Sequence, residues 1–115
     1  MELRPGDPDH IRGFILNKLY TMRMWVRPGG RPRGHTSLSN LPKGYPRRFR
    51  GLFPAQVRVL RRMGLIVTFP HSGDREPHVS AVLSPEAVER GLELCNAYRH
   101  AVGLPPLGRS FRELV

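Results

Sequence analysis

Apolar residues recur at spacings of three and four through Ile11, Phe14, Ile15, Leu19, Met22 and Val26, which marks one face of a helix. Asp7, Pro8 and Asp9 stand before that stripe as a capping oxygen, a proline suited to the first helical position and an acid at the positive end of the helix dipole. The pattern therefore predicts a helix over residues 7–26. Residues 27–35 (Arg-Pro-Gly-Gly-Arg-Pro-Arg-Gly-His) hold three glycines and two prolines and interrupt any periodicity, so a basic loop or arm is expected there. Thr36 to Leu41 can form a short helix stopped by Pro42, with Lys43-Gly44-Tyr45-Pro46 as a turn.

A second firm helix is expected from Pro54 to the stop signal at Gly64, with Phe53, Val57 and Leu60 on its inner stripe. At 100° per residue the opposite direction belongs to Ala55, Arg58, Val59 and Arg62, with Gln56 and Arg61 on the flanks. Leu65 to Phe69 is β-branched and aromatic, and His78 to Leu83 alternates. The two read as strands of a hairpin whose tip, 71–77, turns at Gly73 to Arg75. Ser84-Pro85-Glu86 repeats the capping pattern and opens a helix with Val88, Leu92, Cys95 and Val102 on one face, ending at Gly103. In the tail, 104–115, Ser110 and Glu113 have capping-box spacing, and Phe111, Leu114 and Val115 are expected to dock on something apolar. The sum is one domain over 1–115, mainly α with a small β-hairpin.

Charge changes this picture most. Seventeen arginines and two lysines against nine acids give a net charge of +10. The acids are Glu2, Asp7, Asp9, Asp74, Glu76, Glu86, Glu89, Glu93 and Glu113, so residues 10–73 carry thirteen basic side chains and no carboxylate. A one-sign stretch of that length repels itself unless an anion lies against it, and phosphate is the commonest such partner. Nucleic acid or a nucleoprotein is the expected partner. No apolar run approaches the ~18 residues of a membrane span, and no secretory signal opens the chain, so a cytoplasmic location, on the nucleoid or a ribonucleoprotein, is expected. A lone Cys95 can form no internal disulfide.

Chemistry of catalysis is not expected. The histidines, at 10, 35, 71, 78 and 100, are scattered, and only His71 and His78 should approach each other, across the hairpin. With no third ligand beside them they read as a surface coincidence, so no metal is assigned. Cys95 should be an inert core thiol. No glycine-rich phosphate loop opens a helix, and no cofactor or small-molecule substrate is implied.

The order helix, short helix, helix, hairpin, helix resembles a winged helix-turn-helix domain. Leu60, Gly64, Leu65 and Ile66 resemble the turn from a recognition helix into the first wing strand. Leu83-Ser84-Pro85-Glu86-Ala87 is similar to the Leu-Thr-Pro-Glu-Gly that follows the wing in MarR-like and PadR-like regulators, with Ser for Thr and Ala for Gly. The arm at 27–35 and the proline-broken stretch from Leu41 to Pro54 depart from the compact regulators. The resemblance implies a three-helix core, a two-stranded wing and a C-terminal helix able to dimerise. It implies a recognition helix in the major groove, with Arg58 and Arg62 on guanine edges or phosphates and Val59 on a thymine methyl. Gln56 and Arg61 lie on the flanks of its outer face, and Lys43, Arg47, Arg48 and Arg50 lead into it. Arg75 at the wing tip and Arg31 and Arg33 in the arm complete the expected contact set. Double-stranded DNA is the expected partner, with RNA or the ribosome as the alternative and a protein–protein assembly module as the third.

Overall fold

The computed structural model describes residues 2–32 and 34–115, and Arg33 lies outside the described residues. The fold is α+β. Helix α1 spans Pro8–Thr21, α2 Phe53–Arg62, α3 Pro85–Ala101 and a terminal turn, α4, Phe111–Leu114. Four strands, β1 (Trp25–Val26), β2 (Thr36–Ser37), β3 (Ile66–Phe69) and β4 (His78–Val82), form one mixed sheet.

Helix α1 stops five residues before the end of its apolar stripe. Its last turn closes with Met24 N–H donating to the Leu19 carbonyl (2.8 Å) and Arg23 N–H to Tyr20 (3.2 Å), which throws Arg23 into the left-handed region at φ 54°. This is the glycine-type helix ending, here carrying an arginine, so no glycine announces it. The same pair of bonds ends α2 at Gly64 (φ 75°) and α3 at Gly103 (φ 80°), where glycine does announce it. Val26, counted above as the last helical position, is instead a buried strand residue, and Met22 is exposed. Val102, likewise expected on the inner face of α3, is exposed beyond its end.

The hairpin accounts for only half of the sheet. Strand β3 pairs antiparallel with β4 from Ile66↔Ala81 to Phe69↔His78. The other edge of β4 is shared end to end: β1 lies parallel (Trp25↔Ala81, Val26↔Val82) and β2 antiparallel (Thr36↔Val79, Ser37↔His78). The arm thus leaves β4 at Val26 and returns to it at Thr36. The expected helix at Thr36 to Leu41 is replaced by β2 and a single 3-10 turn, Leu38–Asn40, because Thr36 and Ser37 satisfy their backbone on β4. Ser80 Oγ donates to the Gly34 carbonyl (2.6 Å), and a Cβ at Gly34 would meet the Arg23 carbonyl at 2.5 Å, so the returning chain is seated against the end of α1.

Helices α1 and α3 pack most extensively, and small residues allow the approach. A Cβ at Gly13 would lie 2.5 Å from the Leu94 carbonyl oxygen, and one at Gly91 would run into the Tyr20 hydroxyl. Ile11, Ile15, Leu16 and Leu19 of α1, Leu60 of α2, Ile66 and Val79 of the sheet and Val88, Leu92 and Cys95 of α3 are buried in one core. Phe111 and Leu114 of α4 rest on its margin, while Val115 is exposed. Among the described residues no helix is long and apolar enough to cross a membrane.

Candidate nucleic-acid interface

Pro54 at the start of α2 and the buried Phe53, Val57 and Leu60 fix the rotation of this helix against α1 and β3. Arg58, Arg61 and Arg62 are consequently exposed, and Val59 is half-buried between them. The sequence expectation paired Arg58 with Arg62. Arg58 and Arg61 instead line a common groove of about 480 Å³ with Arg50, walled by Leu38, Pro42 and Pro77. Among the described residues that line it there is no carboxylate, and a neighbouring one, Glu76, accepts from Ser39 Oγ on the groove wall. Gln56 is directed elsewhere: its Oε1 accepts from Arg12 Nε of α1 at 2.8 Å, which ties α2 to α1.

The stretch before α2 forms a 3-10 helix, Arg47–Leu52. Arg47 and Arg48 are exposed, the Arg48 guanidinium lies 4.7 Å from the Phe49 ring centroid, and Arg50 Nε donates to the Tyr45 carbonyl at 3.3 Å. Lys43 is exposed beside them. What holds this stretch is Lys18 of α1. Its Nζ donates to the carbonyls of Asn40 (2.8 Å), Leu41 (3.0 Å) and Lys43 (2.6 Å), gathering a turn of backbone that no helix satisfies. Burial, and then the charges of Lys43 and Arg50, lower the Lys18 pKa. A second tie sits on the other side of the turn. The buried Tyr45 hydroxyl accepts from Gly6 N–H (2.8 Å) and lies 2.7 Å from His10 Nδ1, to which it donates in the neutral tautomer that carries its proton on Nε2. Burial lowers the His10 pKa, against the opposing pull of Asp7.

Among the described residues the ion pairs are two, Arg12 with Asp9 (3.0 Å) and His78 with Asp74 (2.8 Å). None of the basic side chains on α2 or in the 3-10 turn before it belongs to one. Arg75 is exposed at the hairpin tip beside Asp74 and Glu76, a neighbourhood of mixed sign. Arg31 is not brought to α2. It lines a separate cavity of about 740 Å³ with Arg23, Arg27 and Trp25, between the arm and Val115. Arg23 and Trp25 were read as parts of a helix, so this grouping had no sequence signal; it exists because α1 ends early.

The histidines depart furthest from expectation. His35, at the end of the arm, joins His71 and His78, and one ring nitrogen of each lies within 4.8 Å of the others. His35 Nδ1 and His78 Nδ1 are 2.8 Å apart, and the His71 ring stacks on His78 with centroids at 4.3 Å. Burial, then the neighbouring imidazoles His71 and His78, lower the His35 pKa. The hydrogen bond from His78, with a further one from Glu76 N–H, holds the Asp74 carboxyl below the usual range. Cys95 is buried, and that burial pushes its thiol up to about 12, far from a reactive thiolate.

Comparison with protein-family models, with curated proteins and with solved structures found no match.

Proposed function

We propose that this chain is a non-catalytic nucleic-acid-binding protein of the winged helix-turn-helix kind, with double-stranded DNA as its partner. One observation carries the reading: Arg58, Arg61 and Arg62 of α2 and Arg47 and Arg48 of the turn before it are exposed, and these five and the half-buried Arg50 are free of carboxylate partners among the described residues. An arginine surface built for stability would interleave its charges with acids. This one is left for an external anion. Helix α2 is ten residues long and rests on the core by one stripe, so its outer side can enter a major groove while Arg47, Arg48 and Lys43 reach the flanking phosphates. In this reading β3 and β4 are the wing, Arg75 touches the neighbouring backbone, and α3 is the helix through which two copies would pair.

A second reading, RNA, rests on the cavity where Trp25 sits among Arg23, Arg27 and Arg31. A splayed base can stack on an indole or a guanidinium, and duplex DNA offers none. The separating experiment is titration against duplex DNA, duplex RNA and single strands at several salt concentrations. Duplex DNA binding that Arg58→Ala/Arg61→Ala/Arg62→Ala weakens and Trp25→Ala leaves alone is the expected result. Single-strand binding lost in Trp25→Ala would move the assignment to RNA, and no binding to any of them would sink both.

A further inference from the structure

Three histidines from distant parts of the chain meet at one end of the sheet: His35 enters β2, His71 follows β3 and His78 opens β4. We propose that His35, His71 and His78 form a binding site for a zinc-class divalent transition ion, with Asp74 as the outer carboxylate that orients His78. The site goes beyond nucleic-acid binding and does not depend on it.

Imidazole suits such ions, and three neutral ring nitrogens with a free fourth position form a familiar donor set. The arrangement around His78 is the most telling part. Its Nε2 lies 2.8 Å from Asp74 Oδ2, to which it donates. In the neutral ring that bond leaves Nδ1 with its lone pair, and Nδ1 is the atom facing His35 Nδ1 at 2.8 Å. A carboxylate on the far nitrogen of a ligating imidazole is the usual means of fixing tautomer and ring orientation at zinc. Ser37 Oγ, 3.4 Å from the same Nε2, stands on that outer side as well. A direct His35–His78 hydrogen bond accounts for two of the rings but gives no reason for His71 to stack against them. Bonds of about 2.0–2.1 Å to a tetrahedral ion place ligand nitrogens roughly 3.3 Å apart, so His35 and His78 would separate slightly and the more distant pairs would close in. His71 is exposed and can turn to do so, while His78 is buried and supplies the fixed point. Phe69, edge-on to His35 with centroids at 5.4 Å, walls one side. The exposed side, by His71, leaves room for water as the fourth ligand.

Binding would clip the end of the arm to both bases of the hairpin tip in one bond set. The loop from His71 to Pro77 would lose freedom, and the chain from Arg27 to Gly34 would be held at its C-terminal end by more than β2. When the ion enters, the His35 proton moves from Nδ1 to Nε2, and the rings remain neutral throughout.

The test uses the full-length, untagged, chelator-treated protein titrated with zinc chloride by calorimetry, and with cobalt(II) to read coordination by its visible bands. One-to-one binding in the micromolar range or tighter and the spectrum of four-coordinate cobalt are expected. His71→Ala, an exposed position whose loss leaves the fold intact, should weaken binding about tenfold or more, and Asp74→Asn by about 10–100-fold. His100→Ala, on α3, should leave it unchanged. Absence of saturable binding, an affinity unaltered in His71→Ala, or an octahedral cobalt spectrum would overturn the proposal.

Discussion

Single side chains hold the segment between α1 and α2, where regular structure is sparse, and their removal should be costly in specific ways. Lys18 satisfies three carbonyls with one ammonium. Lys18→Met keeps the stem and deletes the donors, and since hydrogen bonds to a charged group are worth about 1.5–3 kcal/mol, a loss in that range is expected in chemical denaturation. Arg23 gives a change of opposite sign. An L side chain in the left-handed region costs about 1 kcal/mol relative to glycine, so Arg23→Gly should raise stability by about that much. A lower melting temperature in that variant would show that the guanidinium's own contacts outweigh the backbone strain. His10 makes stability depend on pH. Its pKa is lowered in the folded protein, so the unfolded chain takes up a proton near 6.5 while the folded one resists. Stability is then fully present above about pH 6.5 and falls as the pH drops from there toward the folded-state pKa. Urea unfolding at pH 7.5 and 5.5 should show this fall, and His10→Gln should reduce it, leaving the part that the lowered pKa of His35 contributes.

At the scale of elements, the close approach of α1 and α3 depends on two glycines. Gly13→Ala would press a methyl against the Leu94 backbone, which cannot turn aside, and should cost about 3 kcal/mol; Gly91→Ala meets only the hydroxyl end of a side chain, Tyr20, which can shift by a small tilt of the whole ring, and should cost less. Equal melting temperatures for the two variants would contradict the backbone-against-side-chain distinction. What the sequence made legible follows from local signals of this kind. The starts of α1 and α3, the limits of α2, the hairpin and the glycine stops at 64 and 103 all stand within a residue or two of expectation, because proline, glycine and periodicity act locally. The early end of α1 and the strands β1 and β2 were hidden for one reason. Their partner is β4, more than forty residues away, and a two-residue strand has no period of its own. The α2 arginines were readable from helical geometry, but their grouping with Arg50 depends on how the 3-10 turn folds back, which spacing does not encode. The same long-range closure concealed the histidines, since His35 reaches His78 only through β2.

For the whole molecule, the net charge of +10 resolves into two differently built regions. On α2 and in the 3-10 turn before it the basic side chains stand without acids, whereas α3 interleaves Glu86, Glu89 and Glu93 with Arg90 and Arg99. If the first region meets a phosphate backbone, its arginines displace condensed counterions, and each contact contributes about 0.9 to the slope of log affinity against log salt on duplex DNA. Arg58→Ala/Arg61→Ala/Arg62→Ala should therefore flatten that slope by about 2–3 units, and its curve should approach that of the parent as salt rises. Arg90→Ala/Arg112→Ala removes two exposed charges from the mixed-sign region, two-thirds of the charge that the triple variant loses. Its slope should stay with the parent if binding belongs to one surface, and fall in proportion if the molecule attracts DNA merely as a diffuse polycation. The comparison thus separates a positioned interface from bulk charge, and equal flattening in the two variants would remove α2 as the binding element. A base contact among the three arginines would add a further sign: the triple variant would lose discrimination between sequences, by about 1–3 kcal/mol per bidentate pair, in addition to losing slope.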